Sequence, residues 1–84
     1  MSDLSEYEEM YLKRMFEFQN SEPGAMLKTT ELANIMSVSP ASATEMIQRL
    51  ASRDMVTHIP YRGCRLTPSG FHIAASIKRR EGLL

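Results

Sequence analysis

Eighty-four residues, 43% of them hydrophobic and with no net charge, suffice for one small domain with a modest core. The single cysteine excludes an internal disulfide framework and suits a reducing compartment, so we expect a cytoplasmic protein. The sequence shows no signal-peptide pattern and no apolar run near the roughly 20 residues of a membrane span, so no membrane association is expected.

The first predicted helix runs from Ser5 to about Gln19. Ser5 and Glu8 have the spacing of a capping box, in which each side chain accepts a hydrogen bond from the other residue's backbone N–H. Apolar residues then recur at helical spacing and predict a broad buried face made of Tyr7, Tyr11, Met15 and Phe18, widened by Leu12 and Phe16. Pro23 and Gly24 end the helix.

A helix-turn-helix is predicted over about residues 29–53. Thr29 or Thr30 would cap its first helix, whose inner side is predicted to carry Leu32, Ala33, Ile35 and Met36. Its second helix starts with Ser39 as the cap and Pro40 at the first helical position, followed by an apolar stripe of Ala43, Met46, Ile47 and Leu50. The two or three residues between the helices are too few for antiparallel packing and are typical of two steeply crossing helices.

The outward face of that second helix begins with small side chains. Ala41 and Ser42 come first, and the longer polar residues Thr44, Glu45, Gln48 and Arg49 follow. A face that only meets solvent is more often rich in Lys and Glu. The pattern therefore indicates an end that approaches another surface closely.

The runs MVTHIP and CRLTP predict a β-hairpin over about residues 55–67, with Tyr61, Arg62 and Gly63 at its turn. Thr67 or Ser69 would start a last helix over about 68–82, with Phe71, Ile73 or Ala74, and Ile77 inward. Helix, helix-turn-helix, hairpin, helix is the order of a winged helix-turn-helix, a mainly α fold with a small β-hairpin that accounts for residues 1–84. In that fold the second helix of the motif lies in the major groove of DNA and the hairpin, or wing, follows the backbone.

Charge is distributed unevenly along the chain. Residues 1–22 contain six acidic and two basic residues, whereas residues 48–84 contain seven basic and two acidic ones. Such a chain can present a basic surface while remaining neutral overall. Because a fold alone does not fix function, two alternatives to a metal-dependent DNA-binding repressor stay open. One is a winged helix used for protein association, and the other is a metal-independent transcription regulator. A basic face interrupted by the acidic first helix would favour protein association.

Two stretches carry a family resemblance. The run ELANIMSVSPASATEMIQRLASRDMVTHIPYRGCRLTPSG, with EEMYLKRMFEF upstream, resembles the N-terminal half of the metal-dependent repressors of the DtxR and MntR family. This implies the sequence-specific DNA-binding domain of a repressor that binds double-stranded DNA as a homodimer and responds to iron(II) or manganese(II). No Ser-His-Asp grouping, P-loop or paired carboxylate can be argued, so an enzyme is not expected.

The resemblance also implies roles for individual residues. Base-facing positions fall on Ser39, Pro40, Ala41 and Thr44, and we add Glu45 because a carboxylate can accept a hydrogen bond from cytosine N4. Positions at or beside phosphates fall on Ser42, Arg49, Arg53, Tyr61 and Arg62. Thr29, Gln48 and Arg65 complete the predicted phosphate contacts.

The metal site is where this chain departs from the family. Met10 falls where the iron-type branch has a methionine ligand and the manganese branch an aspartate, which favours iron(II), although a methionine at helical spacing is often core. The family's histidine in the last helix falls on Glu81, and Lys13 takes the place of a glutamate of the manganese branch. The further ligands would follow position 84.

We therefore expect Met10 and Glu81 to form an incomplete metal site and the dimerisation domain to lie outside this chain. Tight metal binding and more than weak dimerisation by these 84 residues are not expected. His58 and Cys64 could face each other across the hairpin as half of a zinc site, but two ligands do not make a structural site.

Overall fold

The computed structural model describes residues 4–82, with side chains up to Arg80. Its elements occur in the predicted order: α1 (Glu6–Ser21), α2 (Thr29–Met36), α3 (Pro40–Ser52), β1 (Val56–Ile59), β2 (Gly63–Leu66) and α4 (Pro68–Gly82). The mainly α winged helix-turn-helix predicted from the sequence is thereby confirmed. Between residues 4 and 82, none of the helices combines the length and the apolar character needed to cross a membrane.

The predicted starts of α1 and α3 are confirmed by their hydrogen bonds. At α1 the Ser5 Oγ accepts from the Glu8 N–H over 3.1 Å, and the Glu8 carboxylate accepts from the Ser5 N–H over 2.9 Å. At α3 the Ser39 Oγ accepts from the Ser42 N–H over 3.1 Å, with Pro40 at the first helical position.

The predicted threonine cap of α2 is wrong. Thr29 and Thr30 are already inside the helix, and Lys28 occupies the cap position, where its side chain makes no capping hydrogen bond. The Glu31 carboxylate instead accepts from the Lys28 N–H over 3.2 Å. The helix start is thus satisfied by a carboxylate one turn further along the chain.

The core is formed by side chains from one side of each helix and from the inner face of the wing. It contains Tyr11, Leu12, Met15, Leu27, Leu32, Met46, Ile47, Leu50, Met55, Val56, Cys64, Leu66, Ala74 and Ile77. Two residues predicted to face inward are 44% exposed, Tyr7 and Ile35. Ile35 lies roughly 100° around α2 from the middle of the buried stripe. Tyr7 belongs to the first turn of α1, where its ring packs edge-on against Tyr11 at 5.2 Å.

The wing is joined to the segment before α2. Strands β1 and β2 pair antiparallel, with His58 opposite Cys64 and Ile59 opposite Gly63. The backbones of Leu27 and Cys64 exchange two hydrogen bonds of 2.9 Å, which add one bridge on the other edge of β2. Gly63 has φ +119°, and a Cβ there would collide with the Leu27 carbonyl oxygen. Glycine is therefore required for the wing to approach Leu27 this closely.

Helix α4 starts on the end of the wing. The Thr67 Oγ accepts from the Gly70 N–H over 2.9 Å and donates to the Asp54 carbonyl over 2.7 Å, so Thr67 rather than Ser69 begins the helix. Along its length α4 packs against α1, with the rings of Phe16 and Phe71 centred 4.8 Å apart.

Candidate DNA-binding surface

The outer face of α3 is open to solvent where the sequence predicted base contacts. Pro40, Ala41, Ser42 and Glu45 are exposed, and Thr44 is half-buried. The opposite stripe of Ala43, Met46, Ile47 and Leu50 is buried, as predicted. The small side chains at the start of α3 therefore leave its backbone free to approach a flat or grooved partner.

A cleft of about 210 Å³ lies between the start of α2 and the turn of the wing. This wing cleft is lined by Lys28, Thr29, Thr30, His58, Tyr61, Arg62 and Gly63. It brings together Thr29, Tyr61 and Arg62, three of the residues predicted to contact phosphate. The bridge between Leu27 and Cys64 fixes this arrangement, because it holds the residues on both sides of the cleft.

Lys28 and His58 line the wing cleft but were missed by the sequence reasoning. A signal for Lys28 was available, since a cation at a helix N-terminus is disfavoured by the helix dipole unless an anion binds nearby. Lys28 directly precedes the two threonines that start α2. His58 could not be assigned in this way, because only the hairpin register and the bridge to Leu27 place it there.

The predicted phosphate contacts on α3 have an acidic neighbour. Glu8 of α1 lies 3.6 Å from the Arg49 guanidinium and 3.8 Å from that of Arg53. The hydrogen bond from the Ser5 backbone is the main cause that lowers the pKa of Glu8, and the two arginines add to it while burial opposes it. Glu8 is 7% exposed, whereas the Arg49 side chain is 57% exposed and can still reach a partner.

The basic end of α4 is also paired with α1. Lys78 lies 2.9 Å from the Glu17 carboxylate, which also binds Arg14, and Arg80 lies 3.4 Å from Glu9. Much of the positive charge in the second half of the sequence is therefore neutralised within the molecule.

The two wing arginines occupy different places. Arg62 lines the wing cleft, whereas Arg65 lies on the outer face of β2 beside Gln19, Phe71 and His72. The structure thus does not bring Arg65 together with the other predicted phosphate contacts. Tyr61, at the turn, is fully exposed with φ +69°.

The candidate metal ligand Met10 is 42% exposed on α1. It lines a shallow depression of about 270 Å³ with Glu6, Glu9 and Lys13. Within residues 4–80 no three His, Cys, Asp or Glu side chains are grouped to hold a metal ion. The ammonium of Lys13 and the pairing of Glu9 with Arg80 make this donor set a poor fit for a divalent cation on its own. The side chain of Glu81, the other predicted ligand, lies outside the described residues.

The half zinc site is not formed in a usable way. His58 and Cys64 are opposite each other across the hairpin, as predicted. However, Cys64 is completely buried, and burial raises the pKa of its thiol to about 12. A metal ligand or nucleophile would require the thiolate, which this environment disfavours.

Residues 3–64 match the sequence profile described as the iron dependent repressor, N-terminal DNA binding domain. The chain belongs to this family. It is 36% identical over 76 residues to an uncharacterised helix-turn-helix transcriptional regulator of Methanocaldococcus jannaschii, a match that covers 88% of the chain and 58% of the relative. It is 35% identical over 57 residues to the regulator MntR of Geobacillus thermodenitrificans, covering 68% of the chain and 40% of MntR.

Among solved structures, the S. aureus protein MepR, bound to ethidium bromide, superimposes with a TM-score of 0.74. This match covers 92% of the chain and 56% of MepR, at 12% identity, so it concerns the fold alone. The chain spans about half the length of the proteins it matches. In this iron-dependent repressor family it corresponds to the DNA-binding domain of a DtxR/MntR-type transcriptional regulator, and its relatives are regulators and not enzymes.

Proposed function

We propose that this domain recognises a specific operator in double-stranded DNA and represses transcription in the cytoplasm. Helix α3 would lie in the major groove, and the wing would follow the adjacent backbone. The wing cleft carries the proposal. Its volume is large enough for one phosphate, and Lys28, Thr29 and Arg62 are among the residues that line it. Cations and hydroxyls around such a cavity suit a backbone phosphate.

On α3 the proposed roles divide along the helix. Ser39, Pro40 and Ala41 would allow close approach to the base edges. Thr44 can offer its methyl group to thymine or its hydroxyl to a base edge, and Glu45 can accept from cytosine N4. Ser42, Gln48, Arg49 and Arg53 would bind the phosphates that flank the groove.

Protein association is the second candidate, because Glu8 does interrupt the basic face at Arg49 and Arg53. Glu8 is nearly buried, however, and it therefore reduces the positive potential there without creating an acidic patch. A gel shift at low salt distinguishes the two functions. Retarded random duplex DNA supports the DNA-binding proposal, whereas a chain that leaves DNA unretarded at high micromolar concentration contradicts it.

The proposed recognition of base pairs by α3 is tested by comparing variants on its outer face with a variant on its buried face. Thr44→Ala and Glu45→Ala are each expected to cost on the order of 1–3 kcal/mol at one operator position and to change stability by less than about 0.5 kcal/mol. Met46→Ala is expected to do the reverse, removing roughly 2–5 kcal/mol of stability because Met46 is buried. Equal unfolding midpoints for the Met46 and Thr44 variants would contradict this assignment of faces.

We further propose that the whole protein responds to iron(II) or manganese(II) as a homodimer, and that this 84-residue chain alone does not. Met10 and Glu81 provide too few ligands, so metal binding by the chain should be weak and its DNA affinity metal-independent. A monomer also loses the gain from a tethered second half-site, which can exceed a factor of about 100. Micromolar or weaker DNA binding is therefore expected. Calorimetry and DNA titrations with and without metal test this, and tight metal uptake would contradict it.

A further inference from the structure

A second concavity, the outer groove, lies on the face of the wing away from Leu27 and shares no lining residue with the wing cleft. It measures about 700 Å³ and lies between the hairpin, the start of α4 and the end of α1. Its apolar lining comes from Leu66, Pro68, Phe71 and Ala75. Its volume and its largely apolar lining are in the range of small-molecule sites, and the groove is open to solvent along one side.

The polar groups at the outer groove are mainly donors. Arg65 lines it from β2 and forms no ion pair within residues 4–80. The Gln19 side chain uses its oxygen to accept from the Leu66 N–H over 3.1 Å, which leaves its NH₂ group as a donor at the groove. His72 is exposed at the rim, and among the described residues no carboxylate lines the groove.

We infer that the outer groove binds a small organic acid with an apolar body and one carboxylate. The Arg65 guanidinium can bind a carboxylate through two parallel hydrogen bonds, and Gln19 can add a third donor. The ring of Phe71 and the side chains of Leu66 and Ala75 would cover the apolar body. An organic cation would be repelled by Arg65. An inorganic anion could bind Arg65 but would make no contact with the apolar side chains of the groove.

Such a ligand would contact three elements that pack beside one another. Arg65 belongs to the wing, Phe71 to α4 and Gln19 to α1. A molecule held by all three would restrain the wing relative to α4. Binding at the outer groove does not depend on the proposed DNA recognition and can be measured without DNA.

The test is a titration of the 84-residue chain with benzoate, followed by backbone amide NMR shifts. Benzyl alcohol, which has the ring without the charge, and sulfate, which has the charge without the ring, are the ligand controls. We expect saturable shifts at Thr57, Arg65, Phe71 and Ala75, with a dissociation constant on the order of 1 mM or tighter. Both controls should bind at least about tenfold more weakly.

Variants then assign the site. Arg65→Gln should weaken benzoate binding at least about tenfold, whereas Arg62→Gln, on the other side of the wing, should leave it unchanged. Ala75→Met should reduce binding by filling the groove. Thermal unfolding of each variant establishes that it is folded.

Three results would overturn the inference: shifts that do not saturate, equal binding of benzyl alcohol, or benzoate binding that survives Arg65→Gln. A loss of DNA affinity on Arg65→Gln equal to that on Arg62→Gln, without any benzoate binding, would assign Arg65 to the DNA backbone instead.

Discussion

The DNA-facing surface has an α1 side, where α1 meets α3, and a wing side, where the wing meets the start of α2. Both sides present basic residues, but those on the α1 side are paired with a carboxylate. On the α1 side, Arg49 and Arg53 lie within 4 Å of the Glu8 carboxylate. On the wing side, Lys28 and Arg62 share a cleft that is lined by no carboxylate of residues 4–80. Cations on the wing side can therefore bind a phosphate directly. Arg49 and Arg53, on the α1 side, must first weaken or break their ion pairs with Glu8.

This difference shows that charge counted along a sequence is not the charge that a partner meets. The excess of basic residues after position 48 is offset by contacts with α1, through Glu8, Glu9 and Glu17. The surface thus combines one open cationic site with a second that is partly neutralised. The first three of the following measurements concern these two sides, and the last concerns the contact of α1 with α4.

The largest expected effect concerns the backbone on the wing side. Gly63→Ala should cost about 3 kcal/mol or more of unfolding free energy, because the new Cβ would collide with the Leu27 carbonyl oxygen at a positive φ. Gly24→Ala is the matched control, since Gly24 has φ +88° but nothing within 4 Å. This variant should cost only the roughly 1–2 kcal/mol of placing a residue with a Cβ at a positive φ. Equal costs in urea unfolding would mean that the close approach of the wing to Leu27 is unimportant.

The next effect is on DNA affinity. Arg62→Gln should weaken operator and random DNA alike by roughly eightfold at 0.1 M salt and reduce the slope of log affinity against log salt by about 0.9. Arg49→Gln should change both quantities by less, since Arg49 already has Glu8 as its partner. Titrations at several salt concentrations measure this. Slopes that fall equally for the two variants would contradict the distinction between the two sides.

A smaller effect with the opposite sign is expected at Glu8. Glu8→Gln keeps the capping box with Ser5, because glutamine also serves at that position, but removes the charge beside Arg49 and Arg53. Releasing the partly exposed arginines from an ion pair of about 0.2–1 kcal/mol corresponds to a gain in random-DNA affinity of about 1.5- to 5-fold. Glu22→Gln, which removes the same charge at an exposed position after α1, is the control. A loss of affinity at unchanged stability would mean that Glu8 positions the arginines for DNA.

The smallest effect is a pH dependence at the contact of α1 with α4. The hydrogen bond from Lys78 is the main cause that lowers the pKa of Glu17 from its ordinary 4.5. A carboxyl whose pKa is lower in the folded state stabilises the fold above its unfolded pKa, and this contribution is lost as the pH falls below about 4.5. Because the pair is partly exposed, Glu17→Gln should cost under about 1 kcal/mol at neutral pH. The variant's stability should also vary less between pH 5 and 3 than that of the parent chain, as acid titration of the unfolding midpoint would measure.

The errors of the sequence prediction have definite causes. The buried stripe of α3 was predicted fully because thirteen residues give several turns of periodicity. Helix α2 has only eight, so Ile35 at the edge of its stripe could not be separated from the buried residues. The cap of α2 was misassigned because Thr29 and Thr30 are both good cap residues, while Glu31 supplies the acceptor from inside the helix.

The sequence by itself determined the order of the elements, the starts of α1 and α3 and the small-sided outer face of α3. These features follow from capping, periodicity and side-chain size, which act between residues a few positions apart. It also contained the run VSPASATEMIQRL to YRGCRLTPSG, which falls largely within the matched family profile.

Only the tertiary structure decided which basic residues are available. The wing cleft depends on the pairing of Leu27 with Cys64, 37 positions apart, and the neutralised side depends on Glu8 of α1 reaching Arg49 of α3. Such contacts depend on how whole elements pack together, and no local pattern in the chain encodes them. The separation of Arg62 from Arg65, three positions apart in the chain, likewise arises because the turn of the wing lies beside the start of α2, whereas Arg65 on β2 lies beside the start of α4.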